Sequence, residues 1–275
     1  FIPDWRVDDL MVSYAPQGGS VGAHTDAYDV FLIQLSGQRL WKIARSFPEE
    51  TLDGVDLCIL KQFDAEEEWL LNSGDMLYLP PNVAHHGIAQ DSGTPCLTAS
   101  VGFRAPSLKT ITSDYINYLN ENVHDERRYQ DVSAAIPEHH AEITDETVSH
   151  FIDYLKQGLS IEHDQVKNWL GQYCSDNKTY EDLLDEQDIG SYDELIGIVQ
   201  QHPLQRSPYS NFLFSYNEHG AILFVNGNRY QVSNAFAESI CESEPVDLLR
   251  LDSMITDDDR ETLLVLYNSG AFVSV

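Results

Sequence analysis

From Leu10 to about Phe103, apolar residues come in short runs: 10–14, 30–35, 39–44, 75–80 and 96–103, separated by Gly, Pro and Asn clusters. Runs of this length, rich in β-branched and aromatic residues and bounded by turn formers, predict strands. Ser36-Gly37-Gln38 joins two of them closely enough for a hairpin. Many short strands at this spacing predict a small double-sheet barrel.

After Pro106 the spacing becomes helical, first at Ile111, Tyr115, Tyr118 and Leu119, then at Val148, Phe151, Ile152 and Leu155, with Thr144 placed to cap the second helix and Gly158 to end it. A third stretch carries Val166, Trp169, Leu170 and Tyr173. Amphipathic helices with large aromatic faces need a partner surface, either the barrel or a second copy, and a dimerising unit is expected. A boundary is placed near Gln201-His202-Pro203. Beyond it, residues 221–233 read as a hairpin with an Asn226-Gly227 turn, followed by helical patterns at 234–242 and 259–268 and a short apolar end at 271–275. The expected class is α+β: a barrel over 1–105, a helical dimerisation region over 106–200, and an acidic winged-helix-like domain over 201–275.

Composition narrows the partners. The 275 residues hold 45 acidic against 16 basic side chains, a formal charge of −29, which repels nucleic acid and anionic membranes and favours a basic protein. Acidic runs such as Asp257-Asp258-Asp259 likewise point the winged-helix-like part toward protein contacts rather than DNA. The four cysteines, Cys58, Cys96, Cys174 and Cys241, are far apart and fit a reducing, cytoplasmic setting. No secretory signal is visible, and no apolar run approaches the ~18 residues of a membrane span. The opening Phe1-Ile2-Pro3-Asp4-Trp5 reads like the middle of a fold, so a preceding N-terminal part is expected.

Two segments carry candidate chemistry. Gly18 lies six residues before His24-Thr25-Asp26, and Gly74-x5-Pro80-x4-His85 follows later, the arrangement of the two cupin motifs. On a strand, His24 and Asp26 would point the same way, and His85 would complete the set from a second strand. Two neutral imidazoles and a carboxylate form the facial triad of non-haem Fe(II) oxygenases, which leaves positions open for a co-substrate and O2. His86 would face outward, and His139, His140, His150 and His163 are assigned no role. Arg39 is in phase with Trp41 and Ile43; if these face the interior, the guanidinium needs an anionic partner, which a dicarboxylate co-substrate would supply bidentately. Phase alone leaves open the reverse, with Leu40 inside. Tyr28, in phase with His24 and Asp26, and the adjacent Asp29 are candidates for contacting a target side chain.

His24-Thr25-Asp26, Arg39, His85, the stretch Tyr28–Gln34 and the stretch Val101–Pro106 resemble the bacterial ribosomal oxygenases of the JmjC class, closely over about the first 105 residues and more loosely afterwards. The resemblance implies a cupin (JmjC) double-stranded β-helix and 2-oxoglutarate-dependent hydroxylation of an arginine on the sixteenth large-subunit ribosomal protein, in the cytoplasm. It assigns Fe(II) to His24, Asp26 and His85, the far carboxylate of 2-oxoglutarate to Arg39, and neighbouring hydroxyls to Ser13 and Ser100. Eukaryotic relatives, which hydroxylate histidine, carry lysine where this chain has Arg39. Asn82 stands where the general cupin motif has Gly and tolerates a left-handed backbone. Two other readings remain: a histidine or lysine hydroxylase or demethylase acting on another basic protein, and a non-catalytic cupin that serves as a binding scaffold.

Overall fold

The computed structural model describes residues 2–55, 58–122, 127–130, 139, 141–159, 161–176, 182–242 and 245–274. The chain divides into two compact units, residues 1–108 and 109–275.

The first unit is a double antiparallel sheet. Its strands are β1 (Val7–Ala15), β2 (Val30–Ser36), β3 (Gln38–Ala44), β4 (Glu67–Asn72), β5 (Met76–Leu79), β6 (Ala84–Ala89) and β7 (Cys96–Phe103). One sheet runs β1-β7-β2-β5, the other β4-β3-β6. The expected hairpin at Ser36-Gly37-Gln38 is not formed: β2 pairs with β5 and β7, and β3 with β4 and β6, so this turn carries the chain from one sheet to the other. Gly37 makes the corner possible, because its φ is +66° and a Cβ would meet the Pro95 carbonyl oxygen at 2.7 Å. Period-2 alternation decides which side chains enter the barrel. On β3, Arg39, Trp41 and Ile43 are buried while Gln38, Leu40 and Lys42 are less so. Directly paired residues share a face, so Ala89, Gly87 and His85 of β6 lie on the same face as Arg39, Trp41 and Ile43 respectively. Val30, Leu32, Trp41, Ile43, Leu71 and Leu79 fill the interior.

The second unit contains α1 (Leu108–Asn122), α2 (Asp145–Gly158), α3 (His163–Ser175), α4 (Tyr192–Val199), β8 (Leu204–Arg206), β9 (Phe212–Asn217), β10 (Gly220–Val225), β11 (Asn228–Val232), α5 (Asn234–Glu242), α6 (Leu248–Leu251), α7 (Asp257–Asn268) and β12 (Phe272–Ser274). Thr144 caps α2 through the Thr147 N–H, as its sequence position predicts. The Asn226-Gly227 turn has positive φ at both residues, the conformation of a tight hairpin between β10 and β11. The boundary expected near Gln201 falls inside this unit, since α3 packs on β9, β10 and β11. Gln172 and Ser175 of α3 hold the turn through the Gly227 carbonyl (2.8 Å) and N–H (3.1 Å). The core gathers Leu195, Leu223, Phe236, Ile240, Leu263, Leu266 and Phe272. Asp259 is fully buried and joins two helix starts: its carboxylate accepts the N–H of Ser233 before α5 (2.8 Å) and of Thr256 at the α7 cap (2.9 Å).

Candidate metal centre

The barrel brings His24, Asp26 and His85 together, with one ligand atom from each lying within 4.8 Å of the others. The route differs from strand alternation. His85 is on β6, but His24 and Asp26 lie in the connection between β1 and β2, outside any named strand. A single bridge fixes them: His24 and His85 exchange backbone hydrogen bonds at 3.0 and 2.9 Å, and the Asp26 carbonyl accepts from Asn82 at 2.8 Å. Asn82 has φ 62°, the left-handed turn expected of it.

The imidazoles are oriented alike. Each Nδ1 lies 3.0 Å from a backbone carbonyl, that of Gly22 for His24 and that of Val83 for His85. A carbonyl can only accept, so both rings carry the proton on Nδ1 and leave Nε2 as a free lone pair, the tautomer a metal ligand needs. The His85 Nε2 is 3.5 Å from the Asp26 carboxylate, and the two rings are 4.2 Å apart. Burial and the adjacent His24 hold His85 below its ordinary value, which keeps it neutral and able to ligate.

Arg39 is 5% exposed, and its Nε and Nη2 find no hydrogen-bond partner among the described residues. A buried guanidinium with orphaned donors is costly unless an anion arrives. Its carbon stands 5.7 Å from the Trp41 ring centre, and the Trp41 ring is 5.8 Å from that of His85. Anion anchor, indole and candidate ligand thus follow one another along one face. Two imidazoles, a carboxylate and an unpaired guanidinium suit a divalent metal with a dicarboxylate co-substrate.

Comparison with known proteins agrees. Residues 1–111 match the JmjC domain family, and residues 153–272 match the ROXA-like winged helix. It is 29% identical over 201 residues to the ribosomal protein uL16 3-hydroxylase of Escherichia coli K12, covering 73% of this chain and 53% of that protein. A probable ribosomal oxygenase of Haemophilus influenzae is 45% identical over 114 residues, covering 40% of this chain and 28% of the relative. The chain therefore spans about half the length of the first of these relatives. An X-ray structure of E. coli ycfD covers 100% of this chain and 73% of that one, with TM-score 0.81 and 25% identity. A structure of the E. coli ribosomal oxygenase YcfD in complex with cobalt and 2-oxoglutarate covers 99% of this chain and 72% of that one, with TM-score 0.75 and 26% identity.

Within the first unit the other candidate residues divide. Ser13 of β1 pairs with Thr98, and Ser100 of β7 pairs with Leu32, so both lie on the face that carries Leu32 and Gln34 into the barrel. His86 faces away, edge-on to Phe63 and opposite Lys42, as expected. His140 lies outside the described residues. Asp29, the other candidate for contacting a target, is held by the fold. Its carboxylate is taken up inside the fold by Arg6 (3.0 Å) and by the Tyr78 hydroxyl (2.7 Å), with 12% of the side chain exposed. Tyr28 stays beside Asp26: burial, then the carboxylates of Asp26 and Asp9, raise its phenol, which remains protonated.

Sequence reading missed Asp9. The register of β1 against β7 shifts between Val7 and Leu10, so Asp8 and Asp9 together oppose Gly102. Such a bulge re-aims a side chain. Asp8 pairs with Arg104 at 3.2 Å, whereas Asp9 has no ion pair among the described residues. A Cβ on Gly102 would meet Asp9 Oδ1 at 2.7 Å and the Tyr28 ring at 3.7 Å, so carboxylate and phenol both lie against this glycine. The only advance signal was the repeated acid in Asp8-Asp9 at the start of an apolar strand.

Proposed function

We propose that this chain is an Fe(II)- and 2-oxoglutarate-dependent protein hydroxylase that acts on an arginine side chain of ribosomal protein uL16. The observation that carries the reading is the pairing, within one barrel, of a two-histidine, one-carboxylate set with a buried guanidinium whose Nε and Nη2 have no partner among the described residues. The likeness to an E. coli uL16 3-hydroxylase supports the substrate class.

His24, Asp26 and His85 would hold the metal, their imidazoles fixed by the Gly22 and Val83 carbonyls. Arg39 would grip the far carboxylate of the co-substrate, with the hydroxyls of Ser13 and Ser100 close to it. Bound there, Fe(II), 2-oxoglutarate and O2 supply oxidation of an unactivated C–H bond, with release of succinate and CO2. Asp9 and Tyr28 would orient the target: an unpaired carboxylate beside a phenol fits a cationic side chain, which favours arginine over neutral histidine. The charge of −29 would draw in a basic ribosomal protein, with an on-rate that falls as salt rises. This setting is cytoplasmic.

We also infer a homodimer through α1 to α3. The helix α2 buries none of its residues and exposes Val148, Ile152 and Leu155, a stripe suited to a second copy. Light scattering would show a single species of twice the chain mass, and a monomer would refute it.

The functional test is succinate formation from 2-oxoglutarate with Fe(II), with and without uL16. Stimulation by uL16 that vanishes in His24→Ala is expected. Turnover indifferent to uL16, yet stimulated by another basic protein, would move the reading to the histidine or lysine alternatives.

A further inference from the structure

One buried donor has no place in the assignments above. Trp41 is 5% exposed, and its Nε1–H finds no acceptor among the described residues. A buried indole N–H normally has one. The ring sits in the row that bears Arg39 and Ile43, flanked by the Arg39 guanidinium at 5.7 Å and the His85 ring at 5.8 Å. Opposite it on β6 stands Gly87, where a Cβ would strike the six-membered ring of the indole at 2.7 Å. The benzo edge is thereby seated against a bare backbone, and the indole spans the face between the metal-ligand candidate and the anion anchor. Along this row the backbone distance from Ile43, which opposes His85, to Arg39 is four residues, or about 13 Å. Trp41 is its midpoint.

We propose that Trp41 is a co-substrate-binding residue: its ring forms the floor between the metal and Arg39, and its Nε1–H donates a hydrogen bond to a carboxylate oxygen of the bound dicarboxylate. The assignment rests on the 2-oxoglutarate reading above. It accounts for three orphaned donors with one acceptor group, since Arg39 Nε, Arg39 Nη2 and Trp41 Nε1, on two in-phase neighbours of one strand, all lack partners among the described residues.

The test is binding, measured without O2 so that no turnover occurs. In the full chain loaded with Mn(II), Trp41→Phe keeps an aromatic floor and removes the donor, and the Kd for 2-oxoglutarate should rise about tenfold, the net effect of one charge-assisted hydrogen bond, while Mn(II) affinity holds. With Zn(II) in place of Mn(II), the indole ¹⁵N–¹H resonance of Trp41 in the unmodified chain should move downfield and become protected from exchange when 2-oxoglutarate is added. That second readout needs no variant to fold. Equal affinity in Trp41→Phe, or an indole resonance indifferent to 2-oxoglutarate in a chain that binds it, overturns this inference alone. Failure of the unmodified chain to bind 2-oxoglutarate overturns the co-substrate reading, and the role of Trp41 with it.

Discussion

Replacing Arg39 separates a functional guanidinium from a structural one. The side chain is 5% exposed, and two of its nitrogens are unpaired among the described residues. Each buried, unsatisfied donor costs about 1–3 kcal/mol. Arg39→Met keeps much of the unbranched stem while removing the charge and the guanidinium over Trp41, and Met adapts to irregular interiors. Some packing is lost, so the net expectation is a gain of about 1–3 kcal/mol in the ligand-free first unit, or roughly 4 °C or more in its melting temperature for a unit of this size. The same change should remove about 2–5 kcal/mol from 2-oxoglutarate binding, at least ~30-fold in Kd, because truncating one member of a buried charge pair strands the other. Calorimetric titration with Mn(II) present and O2 absent gives the affinity, and thermal unfolding gives the stability. Added 2-oxoglutarate should stabilise the unmodified chain and leave the variant where it was. A variant that melts earlier and still binds 2-oxoglutarate normally would refute the reasoning, because Arg39 would then be part of the structure and not of the site.

Asp9→Asn should raise KM for an arginine-bearing uL16 peptide about tenfold or more with the Kd for 2-oxoglutarate unchanged, and steady-state kinetics with both substrates varied would show a lack of this split if Asp9 only shapes the bulge. Gly87→Ala should drive the Trp41 ring from its seat, destabilising the unit by about 1–3 kcal/mol in urea unfolding and weakening 2-oxoglutarate binding together. Asp259→Ala should cost the second unit about 2–4 kcal/mol, since two helix starts lose one shared acceptor, and urea titration of the variant reads this directly. Burial raises the Asp259 carboxyl, but hydrogen bonds from the Ser233 and Thr256 N–H groups outweigh it and hold the acid below its ordinary 3.8. A depressed folded-state value means that this contribution is full above about pH 4 and is lost as pH falls through the folded value, so the gap between the two chains should close in acid and stay constant from pH 5 to 8.

Strand positions were legible from alternation, but the phase that puts Arg39, Trp41 and Ile43 inside was open between two faces until packing chose one. Pairing was not legible either. Ser36 and Gln38 are adjacent in sequence, and only the tertiary arrangement sends them to different sheets. The triad was found through motif spacing, although the strand geometry invoked for His24 and Asp26 was not the geometry that holds them; a two-way bridge to His85 does that, and such pairing depends on residues sixty positions away. The differing surroundings of Asp29 and Asp9 were hidden for the same reason. Both are acids near Tyr28, and which of them is neutralised depends on where Arg6 and Tyr78 arrive and on a bulge opposite Gly102. Helix caps at Thr144 and Thr256 are local, so the first could be read from the chain; the fourth helix, eight residues long behind Ser191, was too short for its pattern to stand out.

The most direct test of the account is tandem mass spectrometry of uL16 after incubation with the chain, Fe(II), 2-oxoglutarate and ¹⁸O2, with His85→Ala as control. One ¹⁸O atom on an arginine carbon, absent in the control, is the predicted result. An iron-loaded, folded chain that leaves every uL16 residue unlabelled would contradict it.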